Sequence, residues 1–258
     1  MLAEDNLINQ KVAVAMLASA GYRVDVVRTG EAAVAALAAH TYDAVLMDCQ
    51  MPDLNGYEAT AVIRSGEEPG HHIPIIAMTA GARREDRDRC LAAGMDSYLA
   101  KPVSKDALLA LVAQSVQGGP ARDGWQAPAP VIPADAPWPD PGPPLDPAVV
   151  TRLRRLGTEA GEDLMGQLAA LFLESTEDHL DTVRLALGRH DAAAVAHAAH
   201  SLRGAGANLG ATHLALVCAT LEQCAAEGDL AEAEVVTASL AAEVDRVRAA
   251  LRPLALTS

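Results

Sequence analysis

Aromatic side chains are almost missing from this sequence: one Phe, two Trp and four Tyr in 258 residues. A core short of aromatics is filled by Ala, Val and Leu, which favours helices and buried strands over an aromatic-rich β sandwich. Positive charge is scarce too, with 20 Lys and Arg against 34 Asp and Glu and a formal charge of −14. That imbalance argues against a nucleic-acid or anionic membrane surface as partner, and it suits a divalent cation. Cysteine is limited to Cys49, Cys90, Cys218 and Cys224, with no CxxC spacing, so zinc and redox-motif readings find no support. Reduced thiols of an intracellular protein are the simpler account. No apolar run reaches the roughly 20 residues a membrane span needs, and no signal peptide is legible. The expected setting is the cytoplasm, without direct membrane contact.

What proline there is lies in one place. Residues 117–144, QGGPARDGWQAPAPVIPADAPWPDPGPP, hold nine of the fifteen prolines and no periodic apolar pattern. Such a stretch cannot form a helix and reads as a linker, on the order of 80 Å if fully extended. Trp125 and Trp138 within it are possible docking points. The expected domains are therefore 1–116, the linker 117–144, and 145–258.

Before the linker, short apolar strands alternate with amphipathic helices. VDVVRT, AVLMD, IPIIAMT and SYLAK read as strands; GEAAVAALAAH, YEATAVIRS, REDRDRCLAAG and SKDALLALVAQSV read as helices. That alternation predicts a parallel sheet covered on both faces, a doubly wound α/β fold, with function at the carboxyl ends of the strands. Gly21 and Gly94 fall where helix C-terminal caps belong. After the linker only helical patterns remain, from LDPAVVTRLRRLG to DLAEAEVVTASLAAEVDRVRAAL, with Asp146, Asp191 and Asp229 as N-caps. Short connections between long amphipathic helices predict antiparallel neighbours and an all-α bundle.

The strand ends of the first domain present Glu4 and Asp5, Asp48, Thr79 and Lys101. Parallel topology brings these to one rim. Three carboxylates repel unless a cation sits among them, and hard oxygen ligands suit Mg²⁺. A lysine and a threonine hydroxyl beside them suit phosphoryl oxygens, so the parts for phosphoryl transfer to a carboxylate are present. AEDN at 3–6, LMDCQMPDLNGYEAT at 46–60, MTA at 78–80 and YLAKP at 98–102 closely resemble a two-component receiver domain, the flavodoxin-like five-stranded fold. The resemblance implies that Asp48 accepts the phosphoryl group. It further implies that Asp5 ligates Mg²⁺ directly, that Glu4 supports it through water, and that the Gln50 carbonyl completes the protein ligands. Thr79 and Lys101 would hold phosphoryl oxygens, Tyr98 would follow the threonine's movement, and the Lys101–Pro102 bond would be cis. Gly56 is expected to allow a positive-φ turn beside the site. Only Met1, Leu2 and Ala3 precede the acidic pair, fewer than the family usually has, so the first strand reads as truncated: either the chain start is misassigned or, the reading favoured, the chain is the end of a longer protein.

In the second domain, AHSLRGAGANLG at 199–210 puts three glycines in a helical context, each costing about 1 kcal/mol relative to alanine. His200, Arg203 and Gly204 share a helix face. The imidazole supplies a nucleophile, Arg203 can neutralise an incoming phosphoryl group, and Gly204 clears space for a partner. Gly210 reads as a helix end and Gly206 as tight packing. AHSLRGAGANLGA, with LALVCATLEQCAAEGDL after it, resembles a histidine phosphotransfer domain, which implies an all-α four-helix bundle with His200 as the phosphorylated residue on an exposed face.

Together the two resemblances imply a phosphorelay: a sensor histidine kinase gives its phosphoryl group to Asp48, which passes it to His200 and on to a downstream response regulator receiver. The alternative is the C-terminal fragment of a hybrid sensor histidine kinase whose kinase core lies upstream, since no ATP-binding core is legible here. Whether the chain counts as an enzyme in its own right is left open. A carboxylate-nucleophile phosphatase would need a second aspartate where Gln50 stands.

Overall fold

The computed structural model describes residues 1–79, 84–117 and 140–255, apart from the side chains of 84 and 85. The chain divides into two compact units, Met1–Pro130 and Val131–Ser258. Most of the proline-rich stretch, with Trp125 and Trp138, lies outside the described residues. Among the described residues no helix is long and apolar enough to cross a membrane.

The first unit runs β1 (Leu2–Ala3), α1 (Leu7–Ala18), β2 (Val26–Val27), α2 (Gly30–Ala39), β3 (Val45–Asp48) and α3 (Gly56–Gly66). It continues through β4 (Ile75–Thr79), α4 (Arg84–Ala92), β5 (Ser97–Ala100) and α5 (Lys105–Val116). All strand pairs are parallel and the order is β2-β1-β3-β4-β5. Every residue of β3 and β4 is buried, as an apolar run without alternation requires when both faces are covered. One face packs Val45, Met47, Ile75 and Ala77 against Ala33 of α2, Ala59 and Ile63 of α3, and Cys90 of α4. Leu46, Ile76 and Met78 alternate to the other face and are equally buried, on the side left to α1 and α5, which pack on each other.

Helix starts are written in the sequence. Asn6, Thr29 and Ser104 accept backbone N–H bonds at the starts of α1, α2 and α5, and Asn55 with Glu58 forms a full capping box on α3. Gly94, at φ +95°, closes α4. The strand expected over VDVVRT shrinks to Val26–Val27, because β2 is an edge strand paired only with the two residues of β1.

The second unit comprises α6 (Pro147–Ala160), α7 (Leu164–Gly188), α8 (Ala192–Leu209), α9 (Thr212–Glu227) and α10 (Leu230–Ala255). Helix α8 packs on α7 and α9, and α10 closes the ring against the same two, giving the expected four-helix bundle. Helix α6 is an addition, lying against α7 and α8. Asp146, Asp191 and Asp229 accept N-cap bonds at 2.8–3.0 Å as expected. Gly210 ends α8 at φ +81°, and a Cβ there would stand 2.8 Å from the Val149 Cβ of α6. A Cβ on Gly206 would come within 3.2 Å of Leu214, so this glycine marks tight α8–α9 packing.

Candidate functional site

In the first unit the switch from β1 to β3 leaves a crevice at the carboxyl ends of the strands, the place where open parallel sheets bind ligands. Glu4 and Asp5 follow β1, and Asp48 ends β3. One ligand oxygen from each lies within 4.8 Å of the others. Lys101, just past β5, spans the group, donating from Nζ to Asp48 Oδ2 at 2.6 Å and to Glu4 Oε2 at 2.7 Å. Thr79 ends β4 and is buried; the Lys101 N–H donates to its carbonyl at 2.7 Å. The N–H of Gln50 donates to Asp48 Oδ1 at 3.2 Å. The Lys101–Pro102 peptide is cis. Tyr98 stands beside Ala77 in the β4–β5 register, half-buried against the core face that holds α3 and α4. The rim brings Glu4, Asp5, Asp48, Gln50, Thr79 and Lys101 together, and Tyr98 sits behind it.

Burial sets the electrostatics. It lifts the Glu4 carboxyl to about 7, against the pull of the Lys101 ammonium. Burial also raises Asp48, again opposed by Lys101. Burial alone would depress Lys101, but Asp48 and Glu4 together outweigh it and hold the ammonium above its usual range. Three carboxylates and one ammonium sum to a formal −2. That donor set, all hard oxygens and over-charged by two, fits a divalent cation such as Mg²⁺.

Two features differ from the sequence expectation. Gly56 has no positive φ; it is the first residue of α3. It is required for a different reason: a Cβ there would lie 2.0 Å from the Asp48 carbonyl oxygen, so only glycine lets α3 start this close to the end of β3. Sequence reasoning also missed Asn9 and Gln10. Asn9 Nδ2 donates to Glu4 Oε1 at 2.7 Å and Gln10 Nε2 to the Glu4 carbonyl at 2.6 Å. Two amides among the apolar positions of LINQKVAVAML were the available signal.

In the second unit His200 lies on α8, but not on an exposed face: it is 6% exposed. Its neighbours Ala199, Ser201 and Leu202 are buried too, because an alanine-rich α8 lets α7 and α9 close on it from both sides. Nδ1 of His200 has no hydrogen-bond partner among the described residues and stands 3.7 Å from Glu222 Oε1 on α9. Arg203, one turn after His200, puts Nε 3.0 Å from the same Glu222 oxygen. The arginine charge expected to await a phosphoryl group is thus already matched by a carboxylate. Gly204 is half-buried on the same turn. On α7, His179 Nδ1 donates to the Ser175 carbonyl at 2.7 Å and Nε2 pairs with the Ser201 hydroxyl at 3.1 Å. Glu222 was legible as the single acidic residue between 212 and 226.

A family model of the response regulator receiver domain matches residues 1–113, and one of the Hpt domain matches residues 167–250. The chain is 37% identical over 119 residues to hybrid signal transduction histidine kinase B of Dictyostelium discoideum, spanning 42% of this chain and 6% of that protein. It is 32% identical over 225 residues to the sensor protein GacS of Pseudomonas syringae pv. syringae, spanning 86% of this chain and 24% of that protein. The chain thus covers a minor part of the curated relatives it matches. Among solved structures, the receiver domain of a sensor histidine kinase of Pseudomonas aeruginosa, with a magnesium ion in its active-site cleft, shares 48% identity at a TM-score of 0.42. That match covers 45% of this chain and 94% of the other. Residues 1–113 of this chain are a response regulator receiver domain and residues 167–250 an Hpt domain.

Proposed function

We propose that this chain carries a phosphoryl group through two successive acceptors, Asp48 and then His200, between a sensor histidine kinase and a downstream response regulator. The observation that carries the reading is Lys101 joined to both Asp48 and Glu4 in a buried crevice that also holds Asp5. In the first step an Asp48 oxygen attacks the phosphorus of a kinase phosphohistidine, the N–P bond breaks, and the imidazole leaves. In the second, a His200 nitrogen attacks the acyl phosphate, the O–P bond breaks, and the Asp48 carboxylate is restored. Mg²⁺, when bound, neutralises charge on the phosphoryl oxygens; Asp5, Asp48 and the Gln50 carbonyl would hold it, with Glu4 assisting. Lys101 turns from the carboxylates to a phosphoryl oxygen as charge moves, and the Thr79 hydroxyl donates to another. Tyr98 follows Thr79.

At the second acceptor, the Glu222 carboxylate, 3.7 Å from Nδ1 and not bonded to it, favours the ring's proton on that side by charge alone, which leaves Nε2 as the nucleophile. Arg203, released from Glu222, meets the arriving charge, and Gly204 gives the partner room. The proposed boundaries are 1–116 for the receiver, 117–144 for the linker and 145–258 for the phosphotransfer domain, placing α6 with the bundle it packs on. A second reading, favoured by the alignment with GacS over most of this chain, makes the same stretch the C-terminal part of a hybrid sensor kinase with its kinase core upstream. The cytoplasm is the proposed location for either.

The test is to incubate the chain with Mg²⁺ and acetyl phosphate and to separate base-labile acyl phosphate from acid-labile phosphohistidine. Acid-labile phosphate on His200 that disappears in both Asp48→Ala and His200→Ala supports the relay. Phosphate confined to Asp48 overturns the second step, and no labelling overturns the first.

A further inference from the structure

Cys49 and Cys90 meet inside the receiver. Cys49 follows Asp48 directly, Cys90 sits on α4, both are buried, and their Sγ atoms are 3.8 Å apart. The Tyr57 side chain of α3 lies near the same two sulfurs, and the Arg89 guanidinium carbon lies 4.3 Å over the Tyr57 ring. Cys218 and Cys224 offer nothing comparable: six residues apart on one helix, they point to different faces.

We propose that Cys49 and Cys90 form a reversible intramolecular disulfide when the protein meets a peroxide, and that the bond slows phosphoryl uptake at Asp48. The Cys90 sulfur attacks one peroxide oxygen, the O–O bond breaks, and the departing hydroxide takes a proton and leaves as water. The Cys49 sulfur then attacks the resulting sulfenic acid, the S–O bond breaks, and a second water leaves with the Cys49 proton. The two thiols lose two electrons and two protons, and one peroxide becomes two waters. The geometry carries the second step: with the two sulfurs 3.8 Å apart, Cys49 stands within reach of a sulfenic acid at Cys90 and resolves it before it is oxidised further. A small uncharged oxidant suits two buried sulfurs, and intracellular disulfides are typically transient ones of this kind.

The effect on Asp48 follows from the backbone. A disulfide needs sulfurs about 2.05 Å apart, so this pair must close by roughly 1.8 Å. Cys49 N–H donates to the Met78 carbonyl at 3.0 Å and its carbonyl accepts from Gly56 N–H at 3.2 Å, so it is held in the same loop as Asp48 and Gln50. Drawing it toward α4 strains the turn whose Gln50 N–H grips Asp48. This second half rests on the reading of Asp48 as the phosphoryl acceptor.

The experiment treats the full chain with hydrogen peroxide and maps cysteines by mass spectrometry without reduction. Acetyl phosphate labelling of Asp48 is followed on the same samples. A Cys49–Cys90 cross-linked peptide is expected, reversed by dithiothreitol and absent from Cys90→Ala and Cys49→Ala. Labelling should slow by about 10-fold, the scale on which ångström misplacement of a reacting group acts, and recover on reduction. Thiols that stay alkylatable, or sulfinic acid without a cross-link, overturn the proposal. A cross-link with unchanged labelling, or equal slowing in the Cys49→Ala/Cys90→Ala variant, overturns the coupling to Asp48. Reduced protein that takes no base-labile phosphate overturns the reading of Asp48 and leaves the disulfide result standing.

Discussion

The acidic crevice and the histidine site handle buried charge in opposite ways. In the receiver, Lys101 is shared by two carboxylates and Glu4 takes two further hydrogen bonds from α1, so each buried group is partnered before any ligand arrives. Around His200 the partnering is incomplete: Arg203 Nε and Glu222 Oε1 form an ion pair at 3.0 Å without a hydrogen bond, and the imidazole Nδ1 stands unbonded 3.7 Å from the same oxygen. Unpartnered buried polar atoms are costly, and a structure retains them where function uses them. On the proposed function the contrast has a reason: a carboxylate cluster that takes a metal must be held together against its own repulsion, and an imidazole that carries phosphate must be free to exchange its contacts.

The largest way to break this contrast is at Lys101. Replacing Lys101 with Met leaves Glu4 and Asp48 buried without their cation, and loss of one member of such a buried group costs about 3–5 kcal/mol. Urea unfolding of the metal-free chain should show that loss, and Mg²⁺ should restore more stability to this variant than to the parent. Gly56→Ala comes next. Its Cβ would collide with the Asp48 carbonyl, a backbone atom that cannot swing away, so about 1–3 kcal/mol and weakened Mg²⁺ binding are expected. Metal titration followed by thermal unfolding reads both.

In the other unit the effect should fall on rate and spare the fold. Glu222→Ala removes the carboxylate beside Nδ1, and phosphoryl transfer to His200 should slow by about 10²-fold, the range for a lost general base or its orienting group. Glu222→Gln should keep much of the rate, and neither should move the bundle's melting by more than a small amount. Arg203→Ala should be the mildest for stability, about 1 kcal/mol, because the Arg203–Glu222 pair keeps 23% and 17% of its side-chain surface exposed, against 8%, 1% and 2% in the Lys101 group. Chemical denaturation of the isolated change decides that value. If Arg203→Ala proved as damaging as Lys101→Met, the contrast drawn between the two sites would be lost.

Much of this was legible in the sequence, and for identifiable reasons. Strand and helix types followed from apolar runs and caps, since VLMD and IIAMT leave no polar face and Asn55 with Glu58 marks a helix start whatever surrounds it. The rim residues were legible because strand ends in a parallel sheet converge. What stayed hidden depends on approach between distant elements. Periodicity gives which face of α8 bears His200 but not how closely α7 and α9 shut over it, so burial was read as exposure. Gly56 was assigned to a turn because its true constraint, the nearness of the β3 carbonyl, exists only in three dimensions. The pairing of Cys49 with Cys90, 41 residues apart, carried no spacing signal at all.

One feature of the crevice bears on how the protein comes to be. Glu4 and Lys101, whose side chains meet at 2.7 Å, are 97 positions apart, and Lys101 and Asp48 are 53 apart. The closure of such loops is an entropic cost that must be met before those contacts can return anything. No segment of the receiver can therefore assemble the crevice by local structure alone. Only a chain that has brought β1, β3 and the end of β5 side by side possesses the crevice. On the proposed reading a half-folded molecule is then silent to a kinase, and competence to carry the signal doubles as a report that folding of this unit has finished.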